Sequence, residues 1–163
     1  MAAEYVARAF AGVPGVSQVV LFGSVARPGE REAPRYRPLR GTGVRVLHEC
    51  KDVDLAVWLS DLTQLRALHR ARSDALKLLL GGRGIGVAHH QLDVFLMEPG
   101  TDHLLGWLCH FATCPKESKP ECLAPGCGRA PLLRQHEGLV FEPAALDPGG
   151  STVLYGGTAP SGS

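Results

Sequence analysis

The chain has 163 residues, of which 45% are apolar and 20% charged, with a formal net charge of +1. These are the values of a soluble globular protein long enough to bury a core, and the charge balance gives no whole-chain bias toward nucleic acid or an anionic surface. No stretch approaches the ~20 apolar residues of a membrane helix, and Met1-Ala2-Ala3-Glu4-Tyr5 lacks a basic start and apolar run, so the expected location is cytoplasmic and no membrane partner is expected.

Residues 2 to 11 have helical spacing, with Tyr5, Val6 and Phe10 on one side, and Gly12 to Gly15 break it. Val16 to Phe22 read as a buried strand. Gly23-Ser24 turn the chain into Val25-Ala26-Arg27. Residues 28 to 43 are rich in Pro, Gly and Arg without periodicity and read as a loop; Val44 to Leu47 allow a short strand. Asp52-Val53-Asp54 opens the next apolar run, a strand over 53 to 59. Ser60-Asp61 look like a cap. Apolar residues at 62, 65, 68, 75, 76 and 79 predict a helix over Leu62 to Leu80, which Gly81-Gly82-Arg83-Gly84 ends. That glycine run lacks the Lys-Ser/Thr sequel of a phosphate loop, so it reads as a connector. Val87 to Met97 form the third expected strand, with Asp93 inside. Asp102 to Leu108 read as a short helix or turn, and Leu139-Val140-Phe141 as a last strand or packing strip. From Asp147 onward the Pro, Gly, Ser and Thr content predicts a poorly ordered tail.

Three aspartates in or beside apolar strands need a reason, because Asp is depleted in strands. Residues i and i+2 of a strand share a face, so Asp52 and Asp54 project together. With Asp93 from a neighbouring strand they would make an oxygen cage for a hard cation such as Mg2+. The plain alternative is a set of solvent-facing residues on a half-buried sheet. Gly23-Ser24 alone is an ordinary strand-to-helix turn; beside the carboxylates it becomes a candidate phosphate holder.

Leu21-Phe22-Gly23-Ser24-Val25-Ala26-Arg27, then Asp52-Val53-Asp54-Leu55-Ala56-Val57, then Asp93-Val94-Phe95 resemble the DNA polymerase beta-type nucleotidyltransferase superfamily. The likeness is closest to its small minimal nucleotidyltransferase branch and covers roughly residues 1 to 98. It implies an α/β (α+β) domain, a small mixed β-sheet with helices packed on one side. It implies nucleotidyl transfer with two Mg2+ ions held by Asp52, Asp54 and Asp93, the last also the candidate general base. Gly23, Ser24 and Arg27 would hold the phosphates of an NTP, ATP by default. Small bacterial members of the family are often paired with a helical toxin-like partner, in some cases adenylylating it, so a protein acceptor is among the expectations. Ser24 and Asp52 are 28 positions apart, a longer interval than is usual in the family, and 28–50 is expected to be an inserted loop or hairpin. Larger relatives carry a second helical domain; here a macromolecular acceptor or another subunit would complete the pocket.

Residues 27 to 51 hold seven Lys/Arg against three Glu. The stretch could track a nucleic-acid backbone, a weakly supported partner because Tyr36 is the only interleaved aromatic residue and a stacking platform is lacking; a solvated loop, or one closing over triphosphate or acceptor, is the first reading. His89 shares parity with Asp93, yet reads first as a partly exposed strand-start histidine. Cys109-x4-Cys114-x7-Cys122-x4-Cys127, flanked by Pro and Gly, suits a tetrahedral structural Zn2+ site, with His110 or His136 able to replace one cysteine. Cys50 reads as a small core hydrophobe. The expected organisation is a nucleotidyltransferase-like domain over 1–100, a zinc-binding segment over 101–146 and a flexible tail over 147–163. A non-catalytic nucleotide-binding or adaptor module on the same fold, its zinc segment docking a partner, is the competing expectation.

Overall fold

A computed structural model of the chain describes residues 1–26, 52–111, 114, 127, 130–135 and 140–156. Among the described residues two α-helices, α1 (Ala2–Ala11) and α2 (Leu65–Arg83), accompany six strands: β1 (Val16–Phe22), β2 (Val53–Leu59), β3 (Leu92–Met97), β4 (Leu104–Leu108), β5 (Leu133–Arg134) and β6 (Thr152–Gly156). The strands form one mixed sheet in the order β5-β4-β3-β2-β1-β6. Only β2 and β3 run parallel. Parallel neighbours cannot be joined by a tight turn, and α2 supplies the crossover between them.

Successive side chains of the central strands go to opposite faces and divide the core in two. Leu55, Val57 and Leu59 of β2 and Leu92, Val94 and Leu96 of β3 join Val6 and Phe10 of α1 and Leu65, Leu68 and Leu76 of α2. Both helices therefore cover one face of the sheet. On the other face Val20, Phe22, Ala56, Trp58 and Met97 form a second, smaller core, against which Phe141, Ala145 and Leu146 pack. The rings of Phe22, Phe95 and Phe141 meet there, with Phe22 edge-on to both partners at centroid separations of 5.2 and 5.7 Å.

The expected helices and the first three strands are present, with differences at their ends and beyond. The Asp61 cap is real: its carboxylate accepts the Thr63 backbone N–H at 2.8 Å and the Thr63 hydroxyl at 2.6 Å. It caps a 3-10 turn over Leu62–Gln64, and α2 starts only at Leu65. The helix then runs through Gly81 and Gly82 to Arg83. Gly84 ends it, in the left-handed conformation (φ +67°), its N–H on the Leu80 carbonyl at 2.9 Å. The third strand is shorter than expected. It begins at Leu92, because residues 89–91 form a 3-10 turn closed by Gln91, whose side chain accepts the Ala88 N–H.

Residues 104–108, expected as helix or turn, are a strand paired antiparallel with β3. Gly106 interrupts the pattern there: it sits at φ +143°, where a Cβ would strike the Arg134 carbonyl oxygen and lie 3.0 Å from Leu133 Cδ1. The expected flexible tail also needs correction. Thr152–Gly156 pairs with β1 as an edge strand, and Gly150 closes a turn onto the Asp147 carbonyl. Backbone pairing orders this segment although its side chains are mostly exposed. The inserted loop 28–50 and residues 157–163 lie outside the described residues, so neither expectation is met with structure here.

Candidate metal and nucleotide site

The register places the aspartates. Asp54 of β2 is the direct partner of Asp93 on parallel β3, so both carboxylates leave the sheet on the same side. Leu55 and Val57 point to the helices, so Asp54 lies on the opposite face, with Ala56 and Trp58. Asp52, one residue before β2, is exposed. Burial pushes the Asp54 carboxyl up from 3.8 to about 6, and the Asp93 and Asp52 charges add to the rise. Three like charges thus share one corner of the sheet.

Gly23-Ser24 sits over this corner. β1 is antiparallel to β2, and Phe22 is the partner of Asp54. The chain turns at Gly23 with φ +76°, and a Cβ on Gly23 would collide with Asp54 Oδ2 and lie 3.3 Å from Asp54 Cγ. Gly23 is therefore required twice, for the left-handed turn and for close approach of backbone to carboxylate. Ser24 follows, exposed, in the turn over residues 23–26. Arg27, expected to reach the phosphates, lies outside the described residues.

The structure adds a set of side chains that the motif does not contain. His110, just beyond β4, directs Nε2 to Asp93 Oδ1 at 2.9 Å. Its Nδ1 donates to the His89 carbonyl at 2.9 Å. A carbonyl only accepts, so Nδ1 carries hydrogen, and the contact to Asp93 holds one proton between Nε2 and Oδ1. Two residues of α2, one turn apart, grip the backbone on either side of His110. Arg72 Nη2 donates to the Cys109 carbonyl at 2.8 Å, and His69 Nε2 to the Phe111 carbonyl at 2.7 Å. Arg72 is fully buried, and among the described residues its Nε and Nη1 have no hydrogen-bond partner. Burial draws its guanidinium down to about 10, against the opposing pull of Cys109 and Asp93. His89 stacks on His69 at a centroid separation of 6.3 Å. Burial, then the Arg72 charge, holds the His89 imidazole below its usual pKa.

In the sequence, parity with Asp93 puts His89 near the site and His110 is an alternative zinc ligand; His69 and Arg72 were not legible as site residues, but one signal was available. Positions 65, 68, 69, 72, 75, 76 and 79 form the buried stripe of α2, and its two polar members are His69 and Arg72. A charged residue on an apolar stripe marks a buried group with a specific partner.

Of the cysteines, Cys109 and Cys114 are buried in the helix-side core and Cys127 is half-buried. Leu132 links the first two: the Cys109 N–H donates to its carbonyl at 2.8 Å, and its own N–H donates to Cys114 Sγ at 3.4 Å. Leu132 holds a positive φ of 65° to do so. Cys127 bridges Arg134 through its backbone. Cys122, His136 and Cys50 lie outside the described residues. Among the described residues no group of three or more His, Cys, Asp or Glu side chains is placed to hold a metal ion. The carboxylate corner offers the hard oxygen donors that Mg2+ takes, and the like-charge repulsion felt by Asp54 is what a cation would offset. No described helix is long and apolar enough to cross a membrane. No family model, curated protein or solved structure matches the chain.

Proposed function

We propose that the chain is a divalent-cation-dependent nucleotidyltransferase that moves a nucleoside monophosphate, AMP from ATP by default, to an acceptor hydroxyl. The observation that carries this reading is the pairing of Asp54 with Asp93 under a Gly23-Ser24 turn that packs on the Asp54 carboxylate. Asp52, Asp54 and Asp93 would hold Mg2+, which when bound neutralises phosphate charge and lowers the pKa of the attacking hydroxyl. Ser24 and the turn's backbone N–H groups would hold the β- and γ-phosphates. Asp93 would take the proton of the acceptor hydroxyl as its oxygen bonds to the α-phosphorus and pyrophosphate leaves. Positioning and electrostatics supply the rate in such a transfer, so an open corner of a rigid sheet is a fitting scaffold. A protein is the acceptor class we favour.

The test is incubation with α-labelled ATP and Mg2+, alone and with host-cell lysate, followed by detection of labelled macromolecules. Label that depends on Mg2+ and is lost in Asp54→Asn is the expected result. ATP that neither binds nor turns over in the presence of Mg2+ or Mn2+ would overturn the reading and leave the adaptor alternative.

A structural zinc on the cysteine segment is a second proposal, supported by two buried cysteines tied through Leu132. Elemental analysis is expected to give one zinc per chain, with Cys114→Ser lowering that content. Because such a site contributes folding energy directly, chelation is expected to lower the melting temperature. A zinc-free chain that melts alike with and without chelator would refute it.

A further inference from the structure

We propose that His110 is a positioning residue for Asp93, and that Arg72 and His69 clamp the backbone so that His110 presents Nε2 to that carboxylate. This assignment rests on the metal-dependent reading above and extends it to residues outside the motif.

Four hydrogen bonds converge on three consecutive residues. The Cys109 carbonyl is taken by Arg72, the Phe111 carbonyl by His69, and the His110 ring is held by the His89 carbonyl and Asp93, all at 2.7 to 2.9 Å. The ring therefore has both nitrogens engaged, and the peptide units on either side of it are anchored to α2. Asp93 is left with Oδ1 engaged and Oδ2 as the oxygen available to a cation. A carboxylate with one oxygen pinned loses a rotational freedom that binding would otherwise have to remove, which is how an outer-shell partner raises affinity.

The cost of the clamp argues for its purpose. Arg72 is 0% exposed, with two nitrogens unpartnered among the described residues. Burying a guanidinium this incompletely satisfied is unfavourable, and its bond to the Cys109 carbonyl is the contact that offsets the cost. The hydrogen bond it makes goes to the residue before His110. A contrary role is open to the same contact: His110 could occlude Asp93 and have to leave before a cation enters. Anchoring on both sides disfavours that, because a plug must be free to move.

Mn2+ binding to the purified full-length chain, followed by electron paramagnetic resonance, separates these roles. His110→Ala is expected to weaken Mn2+ binding about tenfold or more, the usual size of an outer-shell loss. His110→Gln, which keeps a donor toward Asp93, should restore most of it. Arg72→Met leaves the Cys109 carbonyl without its donor and should melt lower, yet, assayed at a temperature where it is fully folded, it should still bind Mn2+ more weakly, a loss that a merely structural residue would not produce. Equal or tighter Mn2+ binding by His110→Ala overturns the assignment. If His110→Ala does not fold, the Gln and Met variants decide: near-wild-type Mn2+ binding by Arg72→Met overturns the clamp. Asp54→Asn is the control for the underlying reading. A wild-type chain that binds Mn2+ no better than Asp54→Asn overturns the metal site itself, and with it this assignment. Loss of Mn2+ binding in Asp54→Asn, together with weakened binding in His110→Ala and Arg72→Met, supports both.

Discussion

Replacing Asp54 by Asn is expected to raise the melting temperature of the metal-free chain at pH 8 by about 3 to 6 °C, while abolishing divalent-cation binding and nucleotide transfer. The carboxyl of Asp54 titrates near 6 in the fold, against 3.8 ordinarily. For an acid whose folded pKa is raised, its contribution to stability is most favourable below the unfolded value and is lost as pH rises through the folded one. Above pH 6 the folded state therefore carries a charge that burial and two neighbouring carboxylates disfavour. The full shift corresponds to about 3 kcal/mol; Asp54 is only half-buried, and solvent screening reduces this to about 1 to 2 kcal/mol. Asn is similar in shape and carries no charge, so it removes the repulsion without opening a cavity. The gain should shrink below pH 6 and vanish near pH 4, where the wild-type group is protonated. Added Mg2+ should stabilise the wild type and leave the variant unchanged. Melting curves across pH 4 to 8, with and without Mg2+, check all three statements. A variant less stable than wild type at pH 8 would show that the aspartate serves the fold, and the metal reading would lose its main support.

The parts of this fold that were legible in the sequence are those where one local rule dominates. Apolar runs bounded by glycine, serine or aspartate gave β1 and β2, and the i, i+3, i+4 stripe gave α1 and α2. The Asp52-x-Asp54 spacing and the Phe22-Gly23-Ser24 turn were readable for the same reason: strand parity and glycine chemistry act over two or three residues. Strand β4 was not, because Leu104-Leu105-Gly106-Trp107-Leu108 has no alternation of polarity; its identity comes from pairing with β3 on one side and β5 on the other. Strand β6 was missed for a related reason. Its side chains are largely exposed, and it exists as the edge partner of β1, a contact over more than 130 positions that composition does not encode. The His110 arrangement required the fold as well. Residues 69, 72 and 110 meet Asp93 only once β3 and β4 are paired and α2 reaches the backbone of 109 and 111, so spacing along the chain carries no trace of it beyond the shared parity of His89 and Asp93.

Gly23→Ala tests whether the turn and the carboxylate form one unit. Two separate penalties apply to the new methyl group. The first is conformational: φ is +76°, and a left-handed backbone costs an L-residue about 1 kcal/mol or somewhat more. The second is the collision with Asp54 Oδ2. That atom is the end of a rotatable side chain, so the collision is relieved by swinging the carboxylate off its position, at about 1 kcal/mol for a poor rotamer. The stability loss should thus be about 2 kcal/mol, modest beside the functional effect. The displaced carboxylate no longer sits beside Asp93, and Mn2+ affinity should fall at least as far as an outer-shell change brings, about tenfold or more. A double-mutant cycle isolates the coupling. In an Asp54→Ala background the collision disappears, because the nearest atom left would be the residue-54 Cβ at 3.5 Å, an ordinary contact. The cost of Gly23→Ala should then drop to the conformational part alone, about 1 kcal/mol. Equal costs in both backgrounds would mean that the glycine serves only the turn, and that the Gly-Ser element and the aspartates are neighbours without being parts of one site.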